Sequence, residues 1–255
     1  MAVLIFIFIV VIIVAIFITK FKNRHKKITI ANYHEILDTH IAYYQKLDEA
    51  GKIKFEKSVS SFLDDTHIEG VGTEITLLDK IMIASSAVIP IFCFPDWKYK
   101  NLTNIILYPD TFDHEYQFEG NGRNILGMVG SGYMNGQMLL SRKALVKGFS
   151  TEHGSEQAAI HEFVHLLDSS DGTADGLPEN LLAHPYIVPW LHLMHVEMHK
   201  ITDGKSDINP YALTNDAEFF AVAAEYFFEK PEQLHLKHPA LFSLLSRIFD
   251  REMEM

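Results

Sequence analysis

The sequence predicts an α+β fold with a small mixed or antiparallel sheet, preceded by one apolar helix of membrane-spanning character. Three observations carry this reading. Ala2 to Ile18 is an unbroken apolar run rich in Ile, Val and Phe. Behind it, segments with helical period flank a short central group of strand-like segments. The regular strand–helix alternation of a doubly wound sheet is missing from that order.

The elements follow in chain order. At about 1.5 Å per helical residue the N-terminal run reaches roughly 26 Å, the short end of a membrane span. A cleaved signal peptide is the rival reading. Nothing basic precedes the run, however, and no A-x-A pattern follows it. Residues 1–20 are therefore expected to be a transmembrane anchor. Lys20, Lys22, Arg24, Lys26 and Lys27 come next, so residues 21–29 read as a basic juxtamembrane linker against anionic headgroups. The positive-inside rule then puts residues 30–255 on the cytoplasmic face of the inner membrane as one single-pass-anchored domain.

Composition agrees with that orientation. All 33 acidic residues lie from Glu35 onward, and 17 of the 22 Lys and Arg lie beyond the basic run, so the domain carries a formal charge of −16. Such a charge opposes binding to a nucleic acid. Cys93 is the single cysteine, which excludes an internal disulfide and fits a reducing compartment.

Leu47 to Asp65 has helical period, with Phe55, Val59 and Phe62 on one face, and Thr76 to Ala87 forms a second helix. Asn104 to Tyr108 reads as a buried strand closed by Pro109. Gly120 to Gly136 reads as strands joined by turns, and Gly136 to Ser141 as a further strand. Helices are expected at 155–168, 187–201, 216–229 and 239–250, with a loop from Asp171 to Pro178.

The chemistry centres on His161-Glu162-Phe163-Val164-His165. Two histidines four apart on a helix lie about 40° from each other around its axis, so both imidazoles can reach one ion. Glu162 is about 100° from His161 and 60° from His165, where it flanks the ion and can hold a water. Ile160, Phe163, Val164 and Leu167 supply the apolar stripe that buries the rest of the helix. The pattern predicts a metallopeptidase with Zn2+ as cofactor. A rival stripe, His192, His195 and His199, also shares one helix face, but Glu197 points away from it, so it reads as a solvent-facing row.

A catalytic zinc needs a third protein ligand. The helix opening at Asn215-Asp216-Ala217-Glu218 offers Glu218 or, seven residues on, Glu225, and helical spacing leaves both open. Asp168 either orients a histidine or caps the helix end or a loop.

These residues resemble the zinc-dependent peptidases related to the Mlc titration factor. The shared stretches are Ile160 to His165 with Leu167-Asp168, Asp175-Gly176-Leu177-Pro178, Tyr211-Ala212, Asp216 to Val222 and Glu225 to Phe228. The resemblance implies a zincin-type fold, His161, His165 and Glu218 as zinc ligands, Glu162 as general base and Tyr211 as a catalytic tyrosine. It also implies a peptide or protein substrate and a transcriptional-regulator partner. A regulatory binding protein that sequesters a transcription factor is thus the alternative to a peptidase. The chain departs from the family in its N-terminal apolar run. In a zincin arrangement the strand Met138 to Ser141 is expected to be the sheet edge that pairs with substrate.

Overall fold

In the computed structural model, residues 30–94, 96–120, 122–130, 134–150 and 157–249 are described. The predicted anchor and basic linker, residues 1–29, lie outside them, as do residues 155 and 156 of the helix expected at 155–168, residue 250 of that expected at 239–250, and residues 121 and 131–133 of the glycine-rich stretch. Among the described residues no helix is long and apolar enough to cross a membrane.

Four strands make one mixed sheet: β1 (His67–Gly70), β2 (Asn104–Tyr108), β3 (Gly127–Val129) and β4 (Gln137–Ser141). Their order is β1-β2-β4-β3. The first three strands in that order run parallel, and β3 closes the edge antiparallel to β4. The near-continuous apolar run of β2 follows from burial on both sides. Ile105 and Leu107, with Met138 and Leu140 of β4, face the main core. Tyr108 and Leu139 face the other way and pack with Phe112 under the segment between β2 and β3. Side chains alternate along a strand, so neighbouring residues divide between the two cores.

The helices are α1 (Ile30–His40), α2 (Ala42–Gln45), α3 (Glu49–Asp65), α4 (Leu77–Val88), α5 (Arg142–Gly148), α6 (Ala158–Asp168), α7 (Ile187–Thr202), α8 (Asp216–Glu229), α9 (Pro231–Lys237) and α10 (Pro239–Phe249). α4 is the crossover that lets β1 and β2 run parallel. It starts at a capping box in which Thr76 and Asp79 exchange hydrogen bonds. Arg142 at the head of α5 binds both oxygens of the same Asp79, at 2.9 and 2.7 Å. The chain thus forms the α+β architecture with a mixed sheet that the sequence predicts. The expected substrate edge needs correction: Met138 to Ser141 is an inner strand, flanked by β2 and β3. Its apolar residues are buried because each face of the strand lies against one of the two cores.

α6 runs under the sheet and packs against α4, α8 and β3. Gly176 holds α6 and α8 in register. Its N–H donates to Asp168 at the end of α6 (2.9 Å), and its carbonyl accepts from the indole N–H of the buried Trp190 (2.7 Å). Its φ is +76°, and a Cβ there would lie 2.2 Å from the carbonyl oxygen of Asp216 at the start of α8. Only glycine fits both the left-handed backbone and this approach.

Candidate metal centre

α6 buries Ile160, Phe163, Val164 and Leu167, leaving His161 and His165 at the margin of the core. α8 begins where the Asn215 side chain accepts the Glu218 N–H at 2.9 Å, and it buries Phe219 to Ala224. That cap puts Glu218 in the first turn, facing the two imidazoles. His161 Nε2 is 2.9 Å from Glu218 Oε2 and 3.1 Å from His165 Nε2, and His165 Nε2 is 3.4 Å from Glu218 Oε2. Among the described residues this trio is the one group of His, Cys, Asp or Glu whose ligand atoms converge tightly enough for a metal ion. Bonds of about 2.0–2.1 Å at tetrahedral angles separate donor atoms by about 3.3 Å. The observed spacings match that requirement.

Glu225 stands on the far side of the same ring. Its Oε2 lies 3.4 Å from His161 Nδ1, and Oε1 accepts the Gln157 N–H just before α6. One imidazole is therefore flanked by a carboxylate at each nitrogen. Burial alone would lower the His161 pKa, but the Glu218 and Glu225 carboxylates overcome it and push the imidazole up. Burial would raise Glu218, yet hydrogen bonds from His161 and His165 hold it well below the usual carboxylate range. The pocket therefore favours positive charge, as the donor set of a cation should.

Glu162 is buried, and desolvation raises its pKa against the attraction of both histidines. β3 lies directly over it. A Cβ on Gly127 would come within 2.7 Å of Glu162 Cγ, and the Val129 N–H donates to the carboxylate. Sequence reading missed both β3 residues. A glycine-rich stretch marks turns and strands but says nothing of which helix lies beneath them.

Tyr211 sits on a 3-10 turn, Pro210–Leu213, about half exposed, with its ring centroid 6.0 Å from that of His161. Its hydroxyl bonds to Glu218. Burial first, and then the charges of Glu218 and Glu162, raise its pKa. Asp168 is fully buried and its one hydrogen bond goes to Gly176, so it caps the loop rather than a histidine. Desolvation pushes its pKa up to about 6. His192, His195 and His199 are exposed, as expected of a solvent-facing row.

An α+β domain that brings an H-E-x-x-H helix and a separate carboxylate to one point has the make-up of a metallopeptidase. The chain belongs to peptidase family M90, the glucose-regulated metallo-peptidases, whose profile matches residues 18–250. It is 25% identical over 230 residues to an uncharacterized protein of Synechocystis, covering 86% of this chain and 83% of that one. It is 27% identical over 222 residues to Mlc titration factor A of Klebsiella pneumoniae, covering 78% of each. It is 30% identical over 193 residues to Mlc titration factor A of Escherichia fergusonii, covering 69% of this chain and 70% of that one.

Proposed function

We propose that the chain is a zinc-dependent peptidase of the zincin type, with His161, His165 and Glu218 as metal ligands and Glu162 as general base. The observation that carries this is the convergence of three donor atoms within 2.9–3.4 Å of one another. Two imidazoles and one carboxylate suit zinc among the common divalent ions. Bound there, zinc would supply a Lewis acid that lowers the pKa of water to about 7 and polarises a carbonyl.

The chain's own groups handle substrate and protons. Leu126 and Gly130 bond to β4, so Gly127 and Val129 between them turn their backbone groups to the side of β3 that has no strand partner among the described residues. An extended peptide can add to that edge. The Val129 N–H is engaged by Glu162, which leaves the Gly127 amide and the two carbonyls for substrate. Glu162 accepts the proton of the attacking water and returns it to the departing amine. Burial raises its pKa, which eases its uptake of that proton. Tyr211 donates a hydrogen bond from its hydroxyl to the oxyanion that develops on the carbonyl, and its raised pKa keeps the proton on the phenol.

Glu162→Gln keeps the donor set and loses the base. The variant is expected to retain zinc by elemental analysis while cleavage of a quenched fluorogenic peptide falls by about 10²–10⁴-fold. Full cleavage would remove Glu162 from this role.

The apolar run and its basic sequel support an anchor in the inner membrane with the domain on the cytoplasmic side. The name shared by several relatives favours a second reading, in which the domain captures a transcriptional regulator with or without cleaving it. A pull-down with the Glu162→Gln protein separates the two readings. A retained, intact regulator favours capture, and loss of intact protein in the wild type alone favours hydrolysis.

A further inference from the structure

A second polar cluster lies outside the donor set and has no part in the chemistry above. His238, at the junction of α9 and α10, is 5% exposed, and Glu197 of α7 is 1% exposed. His238 Nδ1 lies 2.8 Å from Glu197 Oε2, and its Nε2 lies 2.9 Å from Asp207 Oδ1. Ionised carboxylates only accept, so the ring satisfies both neighbours when both nitrogens donate. Asp207 Oδ2 also accepts from the Tyr226 hydroxyl at 2.8 Å, Gln233 Nε2 at 2.9 Å and Lys237 Nζ at 2.7 Å. Glu197 takes a further bond from Lys200 Nζ at 2.7 Å.

The place of Asp207 in the chain gives this cluster its meaning. Asp207 lies in the segment between α7 and the Pro210–Leu213 turn. Ile208 is buried, and the Asn209 side chain accepts the Tyr211 N–H at 3.0 Å. Tyr211 itself is 53% exposed, and among the described residues its side chain meets only the metal centre, through the Glu218 carboxylate and the His161 ring. Its approach to that centre therefore depends on the backbone on either side. Thr214 and the Asn215 cap fix one end, and Asp207 fixes the other. Gln233 and Lys237 are exposed and Tyr226 partly so, which leaves His238 as the fully buried donor to Asp207.

We propose that His238 is a positioning residue: through Asp207 it fixes the segment that delivers Tyr211 to the rim of the metal centre. The kinetic consequence rests on the role given to Tyr211 above, whereas the structural consequence does not.

Two substitutions divide the ring. His238→Gln keeps a donor near the Nε2 position, toward Asp207, and His238→Asn keeps one near the Nδ1 position, toward Glu197. In zinc-loaded protein, hydrogen exchange of the peptide covering 208–214 should quicken about tenfold or more in His238→Asn and stay within about twofold of wild type in His238→Gln. With the quenched fluorogenic peptide, His238→Asn should lower kcat and leave KM unchanged. That loss should vanish in a Tyr211→Phe background, because a group acting through Tyr211 cannot add to its removal. A merely structural role would lower kcat equally in both backgrounds. Equal exchange in the Gln and Asn variants overturns the proposal, and so does a kcat loss that persists without the Tyr211 hydroxyl. If Tyr211→Phe alone keeps full kcat, the reading of Tyr211 fails and the exchange result still decides the clamp. Should His238→Asn not fold, Asp207→Ala, which leaves the His238–Glu197 pair in place, must show the same fast exchange. A wild-type rate there overturns the proposal.

Discussion

His161 has a carboxylate at each ring nitrogen, and the two do different work. Glu218 meets Nε2, the atom that converges with His165, while Glu225 meets Nδ1 from behind and also holds the Gln157 N–H. A hydrogen bond at Nδ1 sets the tautomer that turns the Nε2 lone pair toward an ion. Glu225→Ala is therefore expected to weaken zinc binding by about 10–100-fold. Glu218→Ala, which removes a donor atom outright, should weaken it further. Chelator competition measures both, and the reverse order would exchange their roles. Spacing could not separate the two glutamates, since residues seven apart on a helix share a face and here both flank one ring. The contribution of Gly127 was equally invisible. It depends on a strand crossing a helix, which no local pattern records.

Among the elements, α6 and α8 must hold their relative position to better than an ångström for the donors to meet. Gly176 sets that register by touching Asp168, Trp190 and the Asp216 carbonyl together. Gly176→Ala adds a methyl where a Cβ would lie 2.2 Å from backbone, at a φ that L-residues avoid. It should destabilise the fold by more than about 2 kcal/mol, read as a lowered denaturant midpoint, and it should lower zinc affinity as well. These two helices were also the most legible part of the sequence. A 3.6-residue apolar period locates α6, and Asn215 before a run of apolar residues locates the start of α8. The sheet is less legible. β2 and β4 show in their apolar runs, whereas β1, α2, α5 and α9 are short and carry no such run, and the helical period of α1 is too weak in the sequence to mark it. Strand order and the parallel pairing arise from long-range contacts, so the inner position of β4 could not be foreseen.

At the scale of the whole molecule, Asp207 joins α8, α9 and the α9–α10 junction to the Tyr211 segment through one carboxylate. Burial would raise its pKa, but bonds from Lys237, His238, Tyr226 and Gln233 overcome that and hold it well below the usual range. A carboxyl lowered in the folded state stabilises the fold above its unfolded pKa, and that contribution is lost as acid protonates it. The window thus opens below the ordinary aspartate value of 3.8. Chemical denaturation across acidic pH should show a steep loss of stability there in the wild type and a shallower one in Asp207→Asn. Identical slopes would show that the clamp carries no linkage. The helical period turns Glu197 away from the histidine row and names no partner for it. Its partner is 41 residues further on, beyond the reach of any helical pattern.

The carboxylates around His161 also make the centre a proton store. With the imidazole pushed up to about 10, the metal-free site holds a proton at neutral pH where the cation would sit. Loading must expel it, so uptake competes with acidity: between about pH 6 and pH 8 the apparent zinc affinity should climb close to tenfold per unit. Titration calorimetry in buffers of different ionisation heat would count the proton released. A filled centre would thus hold its ion less tightly as its surroundings acidify.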